Sequence, residues 1–155
     1  VTEEPEMRSK MHAKRMNKLA LIDKEIPREK KVSVFGDTDA RTVIVGWGTT
    51  KGAIVEAIEP LKEKGIKIKF VQIKLLHPFP KNEIMELTDG IKKIIVIESN
   101  ITGQLASLLR EATGKEADHY ILKWTGRPIS RTEVIEGVEK VIKENIVRLE
   151  LKYGV

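Results

Sequence analysis

The stretch Gly46-Trp47-Gly48-Thr49-Thr50-Lys51-Gly52 is a glycine-rich turn set between an apolar run and a helical pattern. A turn of that kind aims free backbone N–H groups and the positive end of a helix at an anion, which is how many phosphates are held. The spacing meets neither nucleotide fingerprint. A P-loop needs its second glycine five residues after the first with lysine next, and Lys51 occupies that place; Gly52 falls one position late for G-x-G-x-x-G. Nor does the following apolar run end in an acid for a ribose, since it closes Lys74-Leu75-Leu76. The preferred reading is that Gly46 and Gly48 let the chain turn tightly while Gly52 lets helix and sheet approach.

A second polar cluster, Glu98 to Gln104 (ESNITGQ), gathers Glu98, Asn100, Thr102 and Gln104 where a strand should meet a helix. A single acid with no positioned partner offers little for acid–base catalysis. Asn100 as N-cap, with Gly103 and Gln104 in the first turn, accounts for most of the cluster. Arg127 follows a glycine in Trp124-Thr125-Gly126-Arg127-Pro128 and is the charge best placed to meet a carboxylate or phosphate from a neighbour. Trp47 and Trp124 border the two similar turns, where aromatic rings either plug an interface or cover the end of their own sheet. The candidate crevice therefore comprises Gly46, Trp47, Gly48, Thr49, Thr50, Lys51, Glu98, Asn100, Thr102, Gln104 and Arg127, as an interface or a ligand site.

Nothing else points to chemistry carried by this chain alone. The sequence has no cysteine, which removes disulfides, thiolate nucleophiles and cysteine-held metal clusters. His12, His77 and His119 lack metal-ligand spacing, and no nucleophile-elbow sequence anchors a Ser-His-Asp arrangement. No catalytic, cofactor-binding or metal-binding residue is assigned.

The elements that must position these residues follow from a repeated unit. Between Thr42 and Trp124 the chain runs three times through an apolar β-branched run, a polar turn, a helical pattern and a glycine. That is the pattern of an α/β domain with a mostly parallel sheet. The expected strands are Val32 to Gly36, Thr42 to Val45, Ile66 to Leu76, Ile94 to Ile97 and Tyr120 to Trp124. Helices are expected before Gly65, Gly90 and Gly114, and a fourth begins at the capping box of Ser130 and Glu133. The five strands and four core helices predict an α/β/α sandwich, with the tail from Val147 either a strand or frayed. A helix from Pro5 to about Lys24 precedes them. From Met7 to Ile22 it holds five Lys or Arg, no acid and scattered methionines, so its apolar side is expected to pack against something outside this chain.

With 155 residues, one domain buries roughly 70% of its extended surface and needs no staples. The net charge of +5 is mixed in sign along most helices, a solvated surface rather than a nucleic-acid footprint. No apolar run reaches the ~18 to 20 residues of a membrane span. The expectation is a cytoplasmic protein without nucleic-acid or membrane partners, of a composition that fits a thermophile. The sequence is also expected to be a piece of a longer polypeptide.

The ordered series GWGTTKG, HPFP, ESNITGQLASLLRE and KWTGRPIS, then EVIEGV, resembles the C-terminal domain of the α subunit of 2-oxoacid:ferredoxin oxidoreductases. The resemblance covers about Thr42 to Lys143. The basic helix ending Lys24-Glu25-Ile26-Pro27 is similar to the segment joining that domain to a preceding pyrimidine-binding domain. It implies a transketolase C-terminal-domain-like fold, a five-stranded sheet in the order 1-3-2-4-5 with strand one antiparallel. Residues 1–31 would be the linker helix and connection, 32–147 the domain and 148–155 a tail. In that order strands two and four are neighbours whose connections leave in opposite directions, so the two polar turns flank the topological switch point. The resemblance further implies a non-catalytic assembly domain in a complex that uses thiamine diphosphate, Mg2+, CoA and iron–sulfur clusters, all held elsewhere. Its partners would be the pyrimidine-binding domain, the β subunit and, through the complex, ferredoxin. Two alternatives stay open: a stand-alone regulatory module binding a small anion at Gly46 to Gly52, and the equivalent domain of a transketolase or of a 2-oxoacid dehydrogenase β subunit.

Overall fold

A computed structural model of the chain describes residues 3–152. Its sheet has strands β1 (Val32–Gly36), β2 (Thr42–Trp47), β3 (Ile68–Ile73), β4 (Lys93–Glu98), β5 (His119–Lys123) and β6 (Arg148–Leu151). The order is β1-β3-β2-β4-β5-β6. Strand β1 runs antiparallel to β3, with Phe35 opposite Phe70, and every other pairing is parallel. The expected order and the reversed first strand are present. The strand count is not: the sheet has six strands rather than five, because the first part of the expected tail pairs with β5, Leu149 lying opposite Ile121. Residues 153–155 of that tail lie outside the described residues, as do residues 1 and 2.

Alternation along the strands sets the layers. On β2 and β4, Ile44, Ile95 and Ile97 point to one face, where they meet Ile54, Ala57, Leu61, Val134 and Val138 from helices α3 (Thr50–Glu63) and α6 (Arg131–Glu144). Val43, Val45 and Val96 point to the other, against Ile84 of α4 (Lys81–Leu87) and Leu105 and Leu109 of α5 (Gln104–Thr113). Both faces of the central strands are thus covered, as a parallel sheet requires. Gly46, within β2, permits the close approach of α3, for a Cβ there would lie 3.0 Å from Ile54 and 3.1 Å from the Thr50 hydroxyl. That role was expected of Gly52, where an added Cβ would meet nothing.

Helix α1 (Pro5–Glu25) has no buried residue along its 21 positions. Met7, Met11, Met16, Leu21 and Ile22 are all exposed. The helix is joined to the domain by the one-turn helix α2 (Arg28–Lys31). Lys31 carries the junction: its buried ammonium lies 2.9 Å from Asp23 of α1 and 2.9 Å from Glu83 of α4. Arg28 adds a pair to Glu86 at 2.6 Å. Hydrogen bonds to Glu83 and Asp23 raise the Lys31 ammonium above the ordinary lysine range, so its contribution holds throughout neutral pH and is lost only as pH rises past the raised value.

Lys31→Met removes charge-assisted bonds and leaves two carboxylates facing one another. Urea unfolding should show a loss of about 1.5–3 kcal/mol. In the unchanged isolated chain, amides of α1 should exchange far faster than those of β2, because a helix without tertiary packing is marginal in water.

Candidate functional site

Strands β2, β4 and β5 end side by side, and their following loops form one edge of the sheet. After Trp47 the chain turns through Gly48 at φ 61° and enters α3. The Thr50 hydroxyl donates back to the Trp47 carbonyl at 2.8 Å, which fixes this turn. The first turn of α3 has no side-chain cap.

The turn after β4 is built quite differently. Glu98 is fully buried, and its carboxylate accepts the Leu105 N–H at 3.1 and 3.0 Å, one bond to each oxygen, and the Ala106 N–H at 3.5 Å. The Asn100 amide donates to the same carboxylate at 2.5 Å. The Asn100 carbonyl oxygen in turn accepts the N–H groups of Thr102 at 3.1 Å, Gly103 at 2.8 Å and Gln104 at 3.4 Å. Asn100 therefore caps α5, but not from the N-cap position: Gly103, at φ 74°, stands there. The positive end of α5 is already met by a carboxylate of its own chain. Glu98 is a structural anion.

The loop after β5 rests on a third device. Lys123 is buried, and its ammonium donates to both oxygens of Glu133 at 2.8 Å and to the Pro128 carbonyl at 2.8 Å. Glu133 also accepts the Ser130 N–H at 2.8 Å and donates its own N–H to the Ser130 hydroxyl at 3.3 Å, the expected capping box. Burial pushes the Glu133 carboxyl upward, but the bonds from Lys123 and Ser130 outweigh it and hold the group below its ordinary range.

These loops enclose two adjoining hollows. One, of about 260 Å³, is lined by Trp47, Gly48, Thr49, Thr50, Ser99, Asn100 and Gln104. The other, of about 430 Å³, is lined by Thr49, Ser99, Lys123, Trp124, Gly126, Arg127 and Pro128. Thr49 and Ser99 belong to both. The hollows open where β2 sends its helix to one face and β4 sends its helix to the other, the switch point anticipated from the sequence. Of the expected residues, Gly46 lies inside β2, Glu98 is enclosed in its own hydrogen bonds, and Thr102 is exposed beyond the lining. Lys51 turns away, its ammonium 5.3 Å from the centre of the Phe35 ring. The expected crevice left out Ser99, Lys123, Trp124, Gly126 and Pro128, of which the sequence singles out only Trp124, as an aromatic ring beside a turn. The capping box marked Glu133, but no local signal ties a strand lysine to it.

The donor set does not fit a cysteine-held metal cluster. The sequence has no cysteine, and among the described residues no three of His, Asp and Glu gather as ligands.

Residues 40–134 match the family model of pyruvate:ferredoxin oxidoreductase core domain II. The chain belongs to that family. Nearly the whole chain, 99% of it, is 46% identical to the 2-oxoacid:ferredoxin oxidoreductase subunit alpha of Saccharolobus solfataricus. It is 39% identical to subunit alpha of 2-oxoacid:ferredoxin oxidoreductase 2 from Aeropyrum pernix, again over 99% of the chain. It spans 24% of the length of each of these relatives. Among solved structures it is similar to the 2-oxoglutarate:ferredoxin oxidoreductase of Magnetococcus marinus, with a TM-score of 0.75 and 30% identity over 91% of this chain and 24% of that one. The alpha chain of a probable 2-oxoacid ferredoxin oxidoreductase from Thermoplasma acidophilum aligns at a TM-score of 0.52 and 31% identity, over 74% of this chain and 98% of that one. A split-gene transketolase at 19% identity and a TM-score of 0.59 shares the fold. The transketolase-like architecture of a core domain II is what the sheet order describes. Among the described residues no helix is long and apolar enough to cross a membrane.

Lys123→Met leaves the Glu133 carboxylate buried without its cation and should cost about 3–5 kcal/mol in urea unfolding, while the double variant Lys123→Met/Glu133→Leu should recover most of that loss. Because the Glu133 carboxyl is held low, its contribution is present above the ordinary carboxylate range and disappears as pH falls through the depressed value. Acid titration of the unfolding midpoint should show a larger loss in the native chain than in the double variant, where Glu86 and Glu139, also held low, still contribute.

Proposed function

We propose that this chain is the C-terminal assembly domain of the α subunit of a cytoplasmic 2-oxoacid:ferredoxin oxidoreductase. The observation that carries the reading is the 46% identity to such an α subunit across 99% of the chain. The complete complex would oxidatively decarboxylate a 2-oxoacid to an acyl-CoA and reduce ferredoxin. Thiamine diphosphate with Mg2+, CoA and iron–sulfur clusters would be held by other domains and subunits.

The residues support a bracing role rather than a chemical one. Buried Glu98 and Glu133 are committed to backbone groups and to Lys123, so neither is available to move a substrate proton. The partners are a preceding pyrimidine-binding domain, reached through α1, and the β subunit. The expected crevice residues Trp47, Gly48, Thr49, Thr50, Asn100, Gln104 and Arg127 are proposed as contact residues. Gly46, Lys51, Glu98 and Thr102 support the loops around them.

Calorimetry of the isolated chain with thiamine diphosphate and Mg2+ should show no heat of binding, whereas the complete complex should reduce ferredoxin in a reaction requiring both a 2-oxoacid and CoA. Micromolar thiamine diphosphate binding by the chain alone would contradict the domain assignment, and saturable binding of phosphate or a nucleotide would favour a free-standing regulatory module instead.

A further inference from the structure

The two hollows carry an inference about what they receive. Their rim is made of two exposed indoles, Trp47 at 38% and Trp124 at 50% exposure, with Arg127 of the β5 loop lining the same hollow as Trp124 and Thr49. Trp and Arg are the residue types that dominate binding energy at protein interfaces. A small-molecule site encloses most of its ligand, but these hollows are open on the solvent side, and their uncharged polar side chains are Thr49, Thr50, Ser99, Asn100 and Gln104. The shape suits side chains projecting from another surface.

Charge decides the chemistry of the occupant. Arg127 has no ion pair among the described residues. Lys123, also on the lining, is neutralised by Glu133. Glu98, the nearby acid, is fully buried with its oxygens occupied by the α5 N–H groups and Asn100. One uncompensated positive charge therefore faces the opening, set in an aromatic frame. The partner surface that complements it offers a carboxylate beside an apolar side chain.

The base of the loop supports the same conclusion. Burying a lysine–glutamate pair contributes little net stability compared with apolar residues of similar volume. Here the buried pair joins the end of β5, the Pro128 carbonyl and the start of α6, and so fixes both ends of Trp124 to Pro128. A loop held in one conformation before contact loses less entropy on docking.

We infer that Trp47, Trp124 and Arg127 form a preorganised docking site for an acidic, apolar-flanked polypeptide segment of a companion subunit, with Lys123 as the positioning residue beneath it. This rests on the reading that the chain is a domain of a larger oxidoreductase. The test is made in the complete complex. Arg127→Glu should weaken subunit association at least tenfold by analytical ultracentrifugation, Trp124→Ala should weaken it severalfold, and Arg127→Lys should retain most of it. Lys62→Glu, at the far end of α3, should leave it unchanged. Amides of residues 124–127 should exchange more slowly in the native complex than in the isolated chain. Normal association of Arg127→Glu, or equal exchange of those amides in both states, overturns the docking site. Loss of association on Arg127→Glu that phosphate or acetate at millimolar concentration reproduces in the native complex supports a carboxylate contact; an Arg127-dependent affinity of the isolated chain for phosphate, with association intact, overturns it. A native complex unable to reduce ferredoxin would instead reject the parent reading, so the two failures are distinguishable.

Discussion

Strand β2 is buried on both sides, and the rest of the architecture depends on how its neighbours satisfy that burial. Ile44 faces one layer of helices, Val43 and Val45 the other, and none of the three is accessible to solvent. Helices must therefore lie on both faces: α3 and α6 cover one, α4 and α5 the other, and the chain reverses its direction of growth across the sheet, from β2 out to β3 and then back past β2 to β4, β5 and β6. That reversal falls between β2 and β4. The two loops leaving those strands diverge, and a hollow between them is a geometric consequence.

The carboxyl edge of the sheet is also where buried charge concentrates. Glu98 ends β4, Lys123 ends β5, and Lys31 precedes the antiparallel β1, whose start lies beside the end of β3. Each charge ties a strand end to a different element: Glu98 to the first turn of α5, Lys123 to α6, Lys31 to both α1 and α4. An unpaired ion in these positions would be costly, so each loop has a narrow choice of conformation. The apolar layers hold the sheet together, while these three ions shape the loops at its edge. That division is what the proposed bracing role asks of the domain.

Much of this was legible along the chain because it depends on neighbours in sequence. The β-branched runs, the glycines at Gly65, Gly90 and Gly114, and the Ser130–Glu133 box are local signals. They placed the strands and helices within a few residues, the last strand aside. Strand β6 was left open because its alternation is weak and half-exposed; it is a strand because the edge of β5 offers unpaired backbone groups. The task given to Gly52 belongs to Gly46, because which glycine lies beneath a helix depends on where that helix crosses the sheet. Lys51, placed in the crevice by its position in the turn, faces Phe35 because it is already on the first turn of α3 and points off to the side.

The amino-acid sequence by itself determined the alternation of strands and helices, the layers that this alternation demands, and, through its ordered motifs, the family. Those properties follow from hydrophobic periodicity and turn chemistry, which act over a few residues. The tertiary structure alone decided that Glu98 is an internal cap, that Lys123 finds Glu133, and that Arg127 shares a hollow with Trp124 and Thr49. Pairing between distant side chains depends on strand order and register, and a charge has no sequence signature of its partner until the fold brings the two together.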